Sequence, residues 1–372
     1  MQAPVVLHLM NTLADSSISR IVERIISFSR DECWQWRVGS LSGYGEMKTV
    51  FERLGAQVID FSSWPVGNYL AEYPVQIVHS HTPRTIFAAW RGLRSLERSL
   101  RPYHLATKHL LTRAGDRRWG AAFALVDRLS LYLPDCLVPV SRTMMSQIVA
   151  QPGVARRRVV AIPNGIPCEQ FEQAAGRNGV RRELGLAEDA LVVGYAGRIE
   201  RVKRLDLLLD AFAQLLPDYP QLRLLILGEG SMKAEWQALA IRWGMGQAVV
   251  WAGFRADMAH MLAAMDVYVQ PSSNEGLSLS ILEAMAAGRP VVATTVGAAC
   301  EVLADGETGL LVPPNSSETL AAALRRLLSD PALQQHIATA ALQLVNEQYS
   351  IGRMAAAYRQ LYTRALVERK HG

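Results

Sequence analysis

Short apolar, β-branched runs recur along the chain. Longer runs with apolar residues three and four apart separate most of them. In the first half the short runs are VVLHLM (5–10), WQWRVG (34–39), AQVIDF (56–61), VQIVHSH (75–81), HLATKH (104–109), CLVPVS (136–141) and RVVAIPN (158–164). Helical spacing fills ISRIVERIISFSR (18–30) and GAAFALVDRLSLYL (120–133). Strand, helix, strand in repetition predicts a doubly wound parallel sheet. The pattern lapses over 167–189, a polar stretch holding Gly176, Gly179 and Gly185, which reads as an interdomain linker. It restarts with LVVGYAG (191–197), LRLLILG (222–228), AVVWAG (248–253), DVYVQP (266–271), PVVATT (290–295) and GLLVP (309–313). RLDLLLDAFAQLL (204–216) and MKAEWQALAIRWG (232–244) are helical between them, and helices fill the remainder. Two α/β domains are expected, 1–166 and 190–349, joined by 167–189. The C-terminal helix, about 350–372, is expected to pack back on the first domain.

Length agrees with this division. The chain has 372 residues, and a single core usually stops growing short of that, so two domains of roughly 150–200 residues are the default. Half the residues are hydrophobic and a fifth are charged, which excludes a disordered chain. The four cysteines, Cys33, Cys136, Cys168 and Cys300, are far apart with no CxxC spacing. That argues against a zinc cluster or a disulfide scaffold and fits a reducing cytosol. The opening MQAPVVLHLMNTL is too short for a membrane span and no basic residues precede its apolar run, so it reads as a first buried strand. A cytoplasmic protein is expected. The net charge is +5, unevenly spread: between Arg84 and Arg128 ten Lys/Arg face three acids, a local +7.

In open parallel sheets, ligands bind beyond the carboxyl ends of the strands. Two such sheets facing each other would make a cleft with two ligand edges. After LVVGYAG come Arg198 and Lys203, beside Gly197, where backbone can approach a ligand closely. Two cations near a helix start suit a diphosphate; two solvated cations on a loop fit equally. Gly228-Glu229-Gly230 lacks the third glycine of a dinucleotide loop, and a tight strand-to-helix turn explains it. In NEGLSLSILEAMAAG (274–288), Glu275 and Glu283 stand eight apart across a turn from strand to helix. Carboxylates accept hydrogen bonds from sugar hydroxyls, and Gly276, Leu277 and Ser278 enter the helix with backbone N–H groups to donate. Ser280 with Glu283 also fits a capping box, so capping and ligand roles both stand.

The Glu275–Glu283 pair resembles the E-x7-E motif of retaining glycosyltransferases of the GT-B fold, family 4. The resemblance runs over nearly the whole chain. AIPNGI (161–166) is similar to the interdomain segment and GRIERVKRLDLLLDAF (197–212) to the phosphate-binding turn and helix. The most specific match is the sugar-nucleotide core, DVYVQPSSNEGLSLSILEAMAAGRPVVATTVGAACEVLADGETGLLVPP (266–314). The resemblance implies two Rossmann-like domains across a cleft. The first would bind the acceptor and the second a nucleotide-diphosphate sugar, UDP-linked rather than GDP-linked. Arg198 and Lys203 would neutralise the diphosphate. Glu283 would hold the ribose hydroxyls and Glu275 the transferred sugar. The backbone of Gly276, Leu277 and Ser278 would contact sugar and phosphate, and Gly253, Phe254 and Arg255 would lie near the base. His109 matches the family's active-site histidine; by itself it also fits a surface histidine. No cofactor and no metal are implied, and no Asp-x-Asp motif is present.

Three departures stand out. Ser16 and Ser17 occupy the loop after the first strand where the family has a glycine pair, and they touch acceptor recognition or a phosphate contact. Pro167 stands where an Asp is common, and GAACE (297–301) where a glycine pair is common. The basic stretch 84–128 lies in the acceptor half. Arg94, Arg98 and Arg101 are spaced like one helix face, with Leu93, Leu96 and Leu100 beside them and Trp90 and Trp119 nearby. Such a segment attracts anionic lipid, consistent with a peripheral place on the inner membrane face and a glycan or lipid-linked acceptor; a solvated Arg-rich surface fits as well. Nucleic acid is a poorer partner, since no recognition motif accompanies the charge. A sugar-nucleotide epimerase or hydrolase of the same fold, and a non-catalytic scaffold, are the competing readings.

Overall fold

The computed structural model describes residues 3–29, 34–111, 120–172 and 176–371. They form two compact units, Met1–Gly165 with Ile351–Gly372, and Ile166–Ser350. In the first unit the strands are β1 (Val5–Met10), β2 (Gln35–Ser40), β3 (Gln57–Asp60), β4 (Ile77–Ser80), β5 (Tyr103–Lys108) and β6 (Cys136–Pro139). All pair in parallel, in the order β3-β2-β1-β4-β5-β6. The chain winds outward from β1 to β3, then returns to β4 and winds the other way. All six β1 residues are buried, which is why the strand reads as a continuous apolar run: helices cover both faces of a doubly wound sheet.

RVVAIPN does not become a seventh strand. Val159 makes a single bridge to Leu137, and Val160 and Ile162 donate to the carbonyls of Leu137 and Pro139 at 3.0 and 3.1 Å. The return bond of a parallel ladder would come from the N–H of residue 139, which is a proline and has none.

The helix Ile351–His371 belongs to the first unit. Two of its buried tyrosines anchor it. The Tyr362 hydroxyl lies 2.8 Å from His79 Nδ1 on β4, and that of Tyr358 lies 3.0 Å from Thr107 Oγ1 on β5.

The second unit repeats the plan with β7 (Leu191–Ala196), β8 (Leu222–Leu227), β9 (Val249–Gly253), β10 (Val267–Gln270), β11 (Val291–Thr294) and β12 (Leu310–Val312). Their order is β12-β11-β10-β7-β8-β9, again all parallel. Leu208, Leu209 and Phe212 pack with Leu224, Ile226 and Leu324 in its core.

The stretch expected to be a linker is not structure-poor. It carries the helices Cys168–Glu172 and Arg177–Glu183 and belongs to the second unit. Arg181 explains the docking. It is fully buried, and its guanidinium donates to the carbonyls of Ala264, Glu188 and Ala190 at 2.7–3.0 Å and to Asp266 Oδ2 at 2.9 Å. A polar composition masks a buried fork that satisfies three carbonyls and one carboxylate at once.

The basic stretch also differs from expectation. The helix Pro83–Arg94 ends at Ser95, and Leu93 and Leu96 turn into the core. Arg98–Leu100 forms a separate 3-10 turn, so Arg94, Arg98 and Arg101 share no helical face. Lys108 is buried in an ion pair with Asp127 and donates to Ser130 at 3.2 Å, so neither charge of the pair reaches the surface. Arg94 lies over the Trp90 ring, 5.2 Å from its centroid. Arg113, Arg117, Arg118, Trp119 and Cys33 lie outside the described residues. Cys136, Cys168 and Cys300 are free thiols. Among the described residues no helix is long and apolar enough to cross a membrane.

Arg181→Ala removes the buried donor of three carbonyls and one of the two guanidinium partners of Asp266, which keeps Arg177. It is expected to cost about 1–3 kcal/mol through the unsatisfied buried carbonyls, read as a lower urea midpoint for the second unit.

Candidate active site

β7 and β10 lie side by side, yet the chain leaves them toward opposite edges of the second sheet. Two loops therefore diverge at this point and open a crevice at the strand ends. The β7 loop is held by the buried Tyr195, whose hydroxyl donates to the Arg198 carbonyl at 3.0 Å. Arg201–Lys203 then form a 3-10 turn, and Arg204 takes a left-handed conformation (φ 51°) before the helix Leu205–Leu215. Lys203 thus lies near the helix start but precedes the helix itself. Ser273, after β10, donates through its N–H and its Oγ to the Val202 carbonyl at 2.8 and 3.1 Å, stitching the two loops together.

Glu275 closes the same junction. Its Oε1 accepts from Lys203 Nζ at 2.5 Å, Ser272 Oγ at 2.7 Å and Gln270 Nε2 at 2.9 Å. Behind these, the Tyr268 hydroxyl lies 2.7 Å from Gln270 Oε1 and 3.0 Å from the Ala196 carbonyl, and Thr294 Oγ1 donates to the Ser272 carbonyl at 2.6 Å. Tyr268, Gln270, Ser272 and Thr294 are buried. Burial pushes the phenols of Tyr268 and Tyr195 up, so both stay protonated donors. None of the three bonds uses Glu275 Oε2. Gly297 holds the backbone side of the loop: its φ is 58°, and a Cβ there would lie 2.1 Å from the Glu275 carbonyl oxygen. Ala298 N–H donates to the Gly276 carbonyl at 3.1 Å. Of the positions where a glycine pair is common, the first is sterically required and the second accommodates a buried Ala298.

The helix Leu279–Ala286 follows Ser278, whose side chain makes no capping bond. Ser280 is already the second helical residue, so the capping box read at Ser280 and Glu283 is not formed; a helix starting at Leu279 puts Glu283 two residues too far in. Glu283 is half-buried, and the Leu277 side chain is buried between Gly276 and Ser278. Arg198 is exposed and has no ion pair among the described residues.

Beyond β9, Gly253 has φ 69° and Phe254 is exposed. The Arg255 guanidinium is committed to Asp257 and Glu183 at 2.7–2.8 Å, and it holds the Asp257 carboxyl below its usual range. Gly228 and Gly230 face backbone: a Cβ on either would lie 2.0 Å from the Gly197 carbonyl or 2.2 Å from that of Ile199. They let the β8 turn press on the β7 loop.

The sequence model described as "Glycosyltransferase Family 4" matches residues 48–170, and the one described as "Glycosyl transferases group 1" matches residues 177–344. A D-inositol 3-phosphate glycosyltransferase of Streptomyces bingchenggensis is 30% identical over 334 residues, covering 85% of this chain and 72% of that protein. The chain belongs to glycosyltransferase family 4. A putative glycosyltransferase of Bacillus subtilis, EpsD, is 29% identical over 267 residues, covering 70% of this chain and 69% of its own. Anabaena HepE in complex with UDP and glucose superposes with a TM-score of 0.85 at 21% identity, over 96% of this chain and 99% of its own. Sucrose-phosphate synthase of Thermosynechococcus elongatus superposes at 0.81 with 22% identity, over 98% and 100%. These likenesses establish the GT-B fold.

In this family-4 glycosyltransferase, His109 follows β5 in the first unit. It does not stand alone. His81 Nδ1 lies 3.3 Å from His109 Nε2, and His81 Nε2 lies 3.0 Å from His8 Nδ1. His79 is bonded at both nitrogens, to Tyr362 and to Thr107 Oγ1. Desolvation by burial lowers His8 and His109 to about 3 and His79 and His81 well below the usual range, so all four rings are neutral. His8, His79 and His81 present nitrogens within 4.8 Å of one another, the spacing of a metal cluster, but hydrogen bonds already use both nitrogens of His79 and His81. Sequence reading missed these three. The signal was HSH (79–81), two residues apart on a strand that pairs His79 with His8. Ser16 caps the helix Ser17–Ser27, its Oγ accepting from Ser19 N–H at 3.3 Å, and both serines are exposed.

Gly297→Ala is expected to lower stability by about 1–3 kcal/mol through its backbone strain and to displace the Glu275 loop. Gly179→Ala, on the exposed side of the helix Arg177–Glu183 with nothing near its Cβ, is expected to be neutral or to gain up to about 1 kcal/mol. Equal effects of the two in thermal unfolding would contradict the steric role of Gly297.

Proposed function

We propose that this family-4 glycosyltransferase is a retaining enzyme that moves a sugar from a nucleotide-diphosphate sugar, UDP-linked rather than GDP-linked, to a glycan or lipid-linked acceptor in cell-surface polysaccharide or glycolipid synthesis. The observation that carries the reading is Glu275. Its Oε1 is fixed by three hydrogen bonds, which aims Oε2 for the hydroxyls of a sugar, while Glu283, the fifth residue of the helix Leu279–Ala286, serves a ribose. UDP is supported by the HepE complexes with UDP and with UDP-glucose. The cell-surface role is supported by fold likeness to WaaG, a glycosyltransferase involved in lipopolysaccharide biosynthesis.

The chemistry follows from charge. As the glycosidic bond to the diphosphate breaks, negative charge grows on the leaving group. Arg198 and Lys203 act most strongly where that charge is largest, so they lower the barrier and do not merely tighten binding. Gly276, Leu277 and Ser278 add backbone N–H groups at the start of the helix Leu279–Ala286. The cations Arg198 and Lys203 supply the electrostatic work of a metal, so the reaction is metal-independent and needs no cofactor. The acceptor attacks the face the diphosphate leaves and gives its proton to the diphosphate, which retains configuration. Glu275 orients the sugar, and His109 contributes from the first unit as the second catalytic group. Phe254 and the Gly253 turn lie near the base; Arg255 shapes that loop through Asp257 and Glu183. Exposed Leu125, Val126 and Leu129 flank Arg128, a mixed apolar and basic surface that suits shallow contact with anionic lipid at the inner membrane face.

Thermal unfolding with UDP, GDP, ADP and their sugars tests the site. A ligand at 100 times its Kd stabilises by about 2.7 kcal/mol. UDP and one UDP-sugar are expected to raise Tm, and Glu283→Ala to abolish the rise. No shift with any member at millimolar concentration would sink the assignment of Arg198, Lys203 and Glu283 together.

A further inference from the structure

The three histidines that end at His109 carry a proton order. Each ring is neutral, so each has one N–H and one lone pair. His81 uses both nitrogens, one toward His8 and one toward His109. Only two orders then satisfy both contacts. In the first, His8 Nδ1–H donates to His81 Nε2, and His81 Nδ1–H donates to His109 Nε2. In the second, every proton moves to the other nitrogen and both bonds reverse. The two differ at the far end. His8 Nε2 is buried without a hydrogen-bond partner, in surroundings of rings: Trp36, His79, His81 and Tyr362. The second order would bury an N–H there with no acceptor. The first leaves only an idle lone pair. A buried donor without an acceptor is the rarer and costlier of the two.

We propose that His8 and His81 are positioning residues that fix His109 in its Nδ1–H form, so that His109 meets substrate as a hydrogen-bond donor to an oxygen and not as a base. The proposal rests on the reading that His109 faces substrate, and it adds which proton His109 holds and what holds it there. It also accounts for histidines on three neighbouring strands. His8 and His79 pair in register on β1 and β4, and His81 and His109 each follow two residues beyond a residue of the same face, His79 and Thr107. Period two carries all five to one side of the sheet. A metal at His8, His79 and His81 is the competing use of these rings, and it would require the lone pairs that the Tyr362, Thr107 and His109 contacts occupy.

The test is a long-range proton–nitrogen NMR correlation on the full chain with nitrogen-15-labelled histidine, which reads the protonated nitrogen of each ring. His109→Gln assigns its signals. In the unmodified chain at pH 7 we expect His109 protonated at Nδ1 and bare at Nε2. His81→Phe removes the donor, and His109 is expected to shift to a mixture of both forms. His8→Leu is expected to weaken the preference, and His8→Asn, which keeps an amide donor near the Nδ1 position, to restore it. Nε2–H on His109 in the unmodified chain would overturn the proposal even if no His8 or His81 variant folds, and so would an unchanged tautomer in folded His81→Phe. One equivalent of zinc in the purified chain would overturn it too. None of these readouts needs turnover or a nucleotide, so a wrong sugar donor leaves this test intact, and a wrong tautomer leaves the donor site intact.

Discussion

Glu275 Oε1 takes three hydrogen bonds from two parts of the chain: Lys203 from the β7 loop, and Gln270 and Ser272 from the end of β10. The donors are fixed in turn by Tyr268 and Thr294. A carboxylate pinned through one oxygen cannot rotate to satisfy itself elsewhere, so its second oxygen has a set direction. The constraint is possible only because β7 and β10 are neighbours while their continuations diverge. The sheet order thus decides where the crevice lies, and the buried network decides what faces it. Holding Lys203 against Glu275 also sets a cation and an anion side by side at this junction, which under the proposed function suits a ligand that presents hydroxyls beside phosphate. Pre-set charge of this kind needs no rearrangement as the leaving group departs.

Much of the fold was legible because it rests on local pattern. The apolar runs at β1, β7, β8 and β11 are parallel strands buried on both faces, and such strands advertise themselves. What failed were features that depend on a distant partner. RVVAIPN looks like a strand, but whether it joins the sheet depends on Pro139 across the ladder. Arg181 sits in a polar run, and its burial depends on carbonyls of Glu188, Ala190 and Ala264. Leu96 looked like part of an amphipathic helix face until Ser95 ended the helix.

The site divided in the same way. Glu275, Glu283 and Arg198 were legible as residues, because a strand end followed by a helix start is a local signature. The pairing of Lys203 with Glu275 was not, since 72 positions separate them. The capping alternative for Glu283 rested on four residues of sequence and fell once the helix was seen to begin at Leu279. The histidines were hidden by their setting: in a strand of apolar neighbours, a histidine reads as filler until the register sets it beside another.

The most direct test of the central claim is a crystal structure with UDP-glucose. The account predicts a hexose hydroxyl within hydrogen-bond distance of Glu275 Oε2, with the Lys203, Gln270 and Ser272 bonds to Oε1 kept and the ribose on Glu283. A nucleotide sugar bound with its hexose away from Glu275, or with Glu275 turned off Gln270 and Ser272 to reach it, would contradict the claim that this network aims the carboxylate.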